Sequence, residues 1–322
     1  MGVICLASKF YSTLFNSVSL NSMIKAMKLS INYIILIVLT LSIIAIGDSE
    51  GHVRFIDQKL HILMWYKHFN IGPINSLSFS KTSKEYNVPF DIDAIENDAT
   101  VEYNKFFCKD FLINTTSSVI GYVTKSGTDV EVISRHSNIS TPTNSVFGVT
   151  CHPNLPRICF GNHNGYLQLW DYEQKMLISA RSFPKGCPIS SIKFDANGSY
   201  IAVGFTNGQL RIVDSITLDD CLKKAFSYSK QHIEHIEFSE DSEYLATAES
   251  DFTVSVYKRN YQGLKSGEKI ATEMYTFLGR YRSHYKEIVG LMFGVNPDTN
   301  QTRLLSLGKD RVLVIRSLFK LF

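Results

Sequence analysis

The chain has 322 residues, 44% hydrophobic and 20% charged, with 33 bases against 30 acids and a net charge of +3. That length suits one large or two modest domains, and so large an apolar share excludes wholesale disorder. No basic stripe accompanies the small positive charge, so nucleic-acid binding has no electrostatic support.

The first feature along the chain is an uncharged run, Ile31 to Ile46, preceded by Lys25 and Lys28. A membrane span needs about 20 apolar residues, and this run has sixteen. A signal peptidase would accept the small residues of Ala45-Ile46-Gly47. An internal repeat argues against both readings. Ser42 to Gly47 aligns with Ser199 to Gly204, a strand-like stretch deep in the chain, so the end of the run belongs to a strand. The expected division is a non-matching hydrophobic segment, 1–41, followed by a repeat region, 42–322.

The repeat begins with a lead strand. Its copies are Pro73 to Ser80, Ser145 to His152 (the loosest), Pro188 to Asp195, His232 to Ser239 and Glu287 to Gly294. Measured from the second residue of each copy, 146 to 189 is 43 residues, 189 to 233 is 44 and 233 to 288 is 55. A period in the low forties with strand-like alternation marks a WD-type propeller blade. Each lead strand is followed by a hairpin. Ile201 to Asp214 turns at Asn207-Gly208, Ile158 to Asp171 at Asn164-Gly165, and Ile44 to Asp57 at Glu50-Gly51. Shorter copies are Leu245 to Tyr257 and Leu305 to Ile315, with Asp251 and Asp310 near their turns. Asn-Gly supplies the positive φ of a two-residue hairpin. The Trp-Asp dipeptide itself survives at Trp170-Asp171.

The expected fold is therefore all-β: a WD40-type β-propeller of about six blades, with ring closure left open. The first blade runs to about residue 69. The second runs from 73 to about 138 and carries an insertion from 81 to about 105. The third covers 145–183, the fourth 188 to about 229, and the fifth 232 to about 278 with a loop at 263–268. The sixth starts at 288, and its closing strand would be 317–322. Six scattered cysteines without paired spacing point to free thiols in a reducing compartment rather than a disulfide framework or zinc site.

Few residues look chemical. His284, Ser306 and Asp310 share one blade and imitate a hydrolase triad. They are expected instead to form the internal hydrogen-bond network that locks a WD blade, with Trp170 and Asp171 as the matching pair elsewhere and Ile315 standing where the network's tryptophan would be. No nucleophile elbow accompanies Ser306, so no catalytic residue is assigned. His232 and His235 lie three apart on a strand and point to opposite faces. Asp91 to Glu102 resembles a calcium loop, but place six lacks its glycine and place five its oxygen ligand. No cofactor or metal is implied. Arg280, Tyr281, Arg282 and Tyr285 form a candidate interaction rim, because Arg and Tyr are enriched in interface cores.

Several stretches resemble one family. They are Leu278 to Lys286, Leu291 to Val295, Arg303 to Leu313, Ala202 to Gly208 and Tyr244 to Ala248. Together they resemble the cilia- and flagella-associated protein 251 family, WD-repeat proteins of motile axonemes, over about residues 47–318. The resemblance implies a non-enzymatic scaffold of the ciliary axoneme and cytoskeleton that contributes to radial-spoke assembly and motility. Its implied partners are axonemal proteins, members of the radial spoke and of the calmodulin- and spoke-associated complex, with neither nucleic acid nor membrane among them. Three rival readings stand beside it: a generic cytosolic WD40 adaptor, a membrane-anchored or secreted propeller using Ile31 to Ile46, and an enzyme using the Ser306 group.

Overall fold

The computed structural model describes residues 4–6, 35–40, 43–56, 61–67, 69, 71–89, 103–115, 120–123, 130–132, 146–184, 187–260, 274–296 and 299–318. Regular structure there consists of strands in six sheets, and within each sheet spatial order follows chain order. The first sheet holds β1 (Ile4–Leu6), β2 (Ile35–Thr40), β3 (Ile43–Gly47), β4 (Val53–Ile56) and β5 (Ile62–Tyr66). The second holds β6 (Ile74–Pro89), β7 (Tyr103–Thr115), β8 (Ile120–Val123) and β9 (Val130–Val132). The third is β10 (Val146–Cys151), β11 (Arg157–Asn162), β12 (Tyr166–Asp171) and β13 (Met176–Ser182). The fourth is β14 (Ile189–Phe194), β15 (Tyr200–Phe205) and β16 (Leu210–Asp214). The fifth is β17 (Ile233–Phe238), β18 (Tyr244–Glu249), β19 (Thr253–Arg259) and β20 (Tyr275–Arg282). The sixth is β21 (Ile288–Val295), β22 (Thr302–Gly308) and β23 (Leu313–Ser317). All pairings are antiparallel except β1 with β2.

The lead strands β6, β10, β14, β17 and β21 adjoin one another in succession, and β1 lies against β21. This is the β-propeller expected from the repeat, with each sheet a blade. Apolar clusters between consecutive blades hold it together. Phe55 and Tyr66 meet Ile74 and Phe111 between the first and second blades. Leu112 meets Ile158 and Phe160 between the second and third. Leu169 and Phe183 meet Ile189 and Phe205 between the third and fourth. Leu210 and Ile212 meet Ile233 and Tyr275 between the fourth and fifth, and Val254 and Val256 meet Ile288 and Phe293 between the fifth and sixth. On the other face of the sixth blade the described cluster is small: Met292, Leu305 and Leu313. Ile315 there is 37% exposed, whereas Val256, its counterpart by register in the fifth blade, is 1% exposed.

The structure revises several local expectations. The hairpins turn through three residues, not two. Gly208 N–H donates to Phe205 O (3.1 Å) while Phe205 N–H donates to Gln209 O (3.0 Å), leaving Thr206, Asn207 and Gly208 as the loop. Only the third loop residue has positive φ, +79° at Gly208, as in a type I turn closed by a left-handed residue. The same position is filled without glycine in the fifth and sixth blades, by Phe252 (φ 68°) and Arg311 (φ 66°). The described part of the 81–105 insertion is strand: β6 and β7 run on as a ribbon, Ser83–Pro89 opposite Tyr103–Lys109. Upstream of residue 42, Ile35–Thr40 pairs with Ile43–Gly47, so the sheet continues across the boundary read from the repeat, and the described part of the apolar run is a hairpin. No helix among the described residues is long and apolar enough to cross a membrane. Among the described residues the fourth and sixth blades show three strands each. Residues 319–322 of the expected closing strand, the 91–102 acidic segment and the 263–268 loop lie outside the described residues.

Candidate functional site

The sixth blade brings His284, Ser306 and Asp310 together. Ser306 sits on β22, Asp310 in the turn after it, and His284 just before β21. His284 Nε2 lies 2.9 Å from Ser306 Oγ, and Nδ1 is 3.1 Å from both Asp310 oxygens. Asp310 also accepts the N–H groups of Tyr285 and Val312, each at 3.1 Å. Burial works to raise the Asp310 carboxyl, but these donors and His284 outweigh it and hold the group below the usual carboxylate range. Ser283 Oγ also bonds Ser306 Oγ. The His284 side chain is 0% exposed and Ser306 is 1% exposed, so no substrate can reach the pair as they stand.

Trp170 and Asp171 do other work in the third blade. Asp171 Oδ1 accepts N–H from Glu173 (3.0 Å) and Gln174 (2.8 Å), capping the turn into β13. Trp170 Nε1 donates to Gln168 Oε1 at 3.1 Å. Strand register also corrects the position assigned to the network's tryptophan. Trp170 pairs with Ile158 on β11, and the corresponding pair in the sixth blade is Arg316 with Leu304, not Ile315 with Leu305. Ile315 lies one residue before that position. Arg316 places its guanidinium 4.1 Å from the Tyr281 ring centroid, using the flat face it shares with an indole.

The four rim residues separate into different roles. Arg280 is turned inward: Nε lies 2.8 Å from Glu249 Oε2, and NH2 lies 2.6 Å from Asp251 Oδ2. Tyr281 lies under Arg316, and burial pushes its hydroxyl up to about 12. Arg282 donates Nε–H to His284 O (3.2 Å) and stacks near the rings of Phe252 and Tyr285. Tyr285 is 83% exposed. The exposed residues of this rim are Arg282, Tyr285 and Lys286, together with Arg280, whose guanidinium is tied back to Glu249 and Asp251.

The centre of the Arg280 network, Glu249, went unremarked in the sequence. Its side chain is 1% exposed, at the end of β18. It accepts from Ser255 Oγ and Thr253 Oγ1, each at 2.7 Å, and from Thr247 Oγ1 at 3.2 Å. An acid within a strand otherwise written Leu-Ala-Thr-Ala was the available signal. Asp48, Glu50 and His52 bring ligand-type atoms within 4.8 Å of one another. Arg54 already lies 3.4 Å from Asp48 Oδ2, which supplies the compensating cation. His235 Nε2 is 3.0 Å from Ile288 O in the next blade, so it bridges blades and does not pair with His232.

Comparison with known proteins agrees with this architecture. A family profile described as the Vps8 β-propeller matches residues 142–274. The class is thus a β-propeller, by topology and by profile. The chain is 36% identical over 279 residues to cilia- and flagella-associated protein 251 of Mus musculus, covering 87% of this chain and 20% of that protein. Proteins of the same name from Tetrahymena thermophila and Chlamydomonas reinhardtii are each 27% identical, covering 84% and 82% of this chain and 29% and 31% of their own lengths. The chain belongs to the cilia- and flagella-associated protein 251 family, and spans about a fifth of the mouse relative's length.

Proposed function

We propose that the chain is a non-catalytic propeller scaffold of motile cilia and flagella, docked on the axoneme and contributing to radial-spoke assembly. The observation that carries this reading is the 36% identity across 87% of the chain to a protein named for cilia and flagella. Relatives of the same name in a ciliate and a green alga support a role in the shared machinery of the organelle. Sealed burial of His284 and Ser306 supports a structural use of the residues that look most like an active site. The partners proposed are axonemal proteins of the radial spoke and of the calmodulin- and spoke-associated complex. They would meet exposed rim groups such as Arg282, Tyr285 and Lys286.

The test is a tagged copy at its own locus in ciliated cells, followed by detergent extraction. The tag should remain with the demembranated axoneme. A tag that stays diffuse in the cell body, or leaves with the detergent-soluble fraction, overturns the proposal.

A further inference from the structure

Five lead strands carry the same irregularity. Register slips by one residue between Ile74 and Ser76, Val146 and Gly148, Ile189 and Ser191, Ile233 and His235, and Ile288 and Gly290. Each slip is a β-bulge, which leaves one extra residue out of the ladder and re-aims it. In the fourth and fifth blades the extra residues are Ser190 and Glu234. Both line a half-open cavity of about 420 Å³ to which the five lead strands contribute.

Among the described residues, the titratable and charged groups on this cavity are Lys193, Glu234, His235, Glu237, Glu287 and Lys309. Most are satisfied within the chain. Lys193 pairs with Glu237 at 2.6 Å, Lys309 pairs with Glu287, and His235 bonds Ile288 O. Glu234 is the exception: it makes no hydrogen bond or ion pair among the described residues. Ser190 is 9% exposed, and its buried Oγ has no hydrogen-bond partner among the described residues. A buried hydroxyl without a partner is costly, and so is a half-buried carboxylate without a directly bonded counter-charge. Burial, together with the nearby Glu287 charge, raises the Glu234 carboxyl, while Lys309 offsets part of that. Burial holds His235 toward its neutral form, so carboxylates outnumber cations on this wall.

We infer that this cavity receives the basic side chain, lysine or arginine, of a partner protein, with Glu234 as its counter-ion and Ser190 as a hydrogen-bond acceptor. An anion is disfavoured by the excess of carboxylates. A divalent metal needs several free anionic oxygens, and two of the three carboxylates already have lysine partners. An ammonium or guanidinium needs one counter-charge and neutral acceptors for its remaining N–H groups. The inference holds whichever compartment the protein occupies.

The test uses the full chain and the peptides acetyl-Gly-Gly-Xaa-Gly-Gly-amide, with Xaa as Arg, Lys or Gln, by calorimetric titration at low salt. The Arg or Lys peptide should bind at least tenfold more tightly than the Gln peptide. Glu234→Gln should remove about tenfold of that affinity and Ser190→Ala about threefold, with the far-UV dichroism of the chain unchanged. A second measurement needs no variant: carbodiimide labelling of the native chain, read by mass spectrometry, should show Glu234 protected by the Arg peptide and not by the Gln peptide. Equal binding of all three peptides, or labelling of Glu234 indifferent to the Arg peptide, overturns the inference.

Discussion

Replacing Arg280 with alanine tests whether this residue faces a partner or holds its own blade together. Arg280 bridges the buried Glu249 at 2.8 Å and Asp251 at 2.6 Å, and its Nε also lies 2.9 Å from Thr253 Oγ1. Removing one member of a buried ion pair typically costs about 3–5 kcal/mol, because the other charge stays buried without compensation. The Arg280 side chain is 28% exposed, so water can partly replace it, and the expected loss falls at the low end, about 3 kcal/mol. Glu249 would then keep its hydroxyl donors but lose its counter-charge. A double variant, Arg280→Met with Glu249→Gln, removes both charges and should cost about 1 kcal/mol less than Arg280→Ala alone. Urea denaturation followed by far-UV dichroism measures both, as a shift in midpoint at constant slope. A loss under 1 kcal/mol for Arg280→Ala, joined to weaker capture of a partner, would refute the inward reading and return Arg280 to the interaction surface.

Four further outcomes follow from the geometry. His284→Ala should destabilise the chain by about 3 kcal/mol, since it deletes one neutral and one charge-assisted hydrogen bond, opens a cavity and leaves Ser306 with Ser283 as its side-chain partner. Refolded wild type, in turn, should show no esterase activity that Ser306→Ala abolishes. Gly208→Ala should cost about 2 kcal/mol or more in the same denaturation assay: φ is +79°, and a Cβ would lie 2.6 Å from Ser229 O, a backbone atom that cannot swing away. Asp310 has a lowered carboxyl pKa in the fold, so its contribution is fully present above the unfolded value of about 3.9 and is lost as pH falls through the folded value. The stability gap between wild type and Asp310→Asn should therefore hold steady from about pH 7 to 5 and close below about pH 4.

The blades were legible because a propeller writes its period into the chain. Lead strands such as Ile189 to Phe194 and Ile233 to Phe238 repeat the same alternation, and the turn residues punctuate it. The trio of His284, Ser306 and Asp310 was legible as well, since it lies within one repeat unit. What stayed hidden depends on register. A two-residue and a three-residue turn look alike in Asn207-Gly208, and the strand pairing that equates Arg316 rather than Ile315 with Trp170 is visible only in the ladder. Phe252 and Arg311 conceal the left-handed turn residue altogether, because neither side chain advertises a positive φ. The direction of Arg280 depended on Glu249, thirty-one residues earlier and joined to it only across paired strands. The ladder bulges left no mark, since an extra residue such as Glu234 reads as one more polar position in a strand.

Cross-linking mass spectrometry on isolated, demembranated axonemes bears most directly on the scaffold role. Lys286, exposed on the rim beside Tyr285, provides the reactive amine. Cross-links from Lys286 or its neighbours to radial-spoke proteins, recovered repeatedly from intact axonemes, are the expected result. Recovery of the chain without cross-links to any axonemal protein, or its absence from the axoneme preparation, would contradict the account.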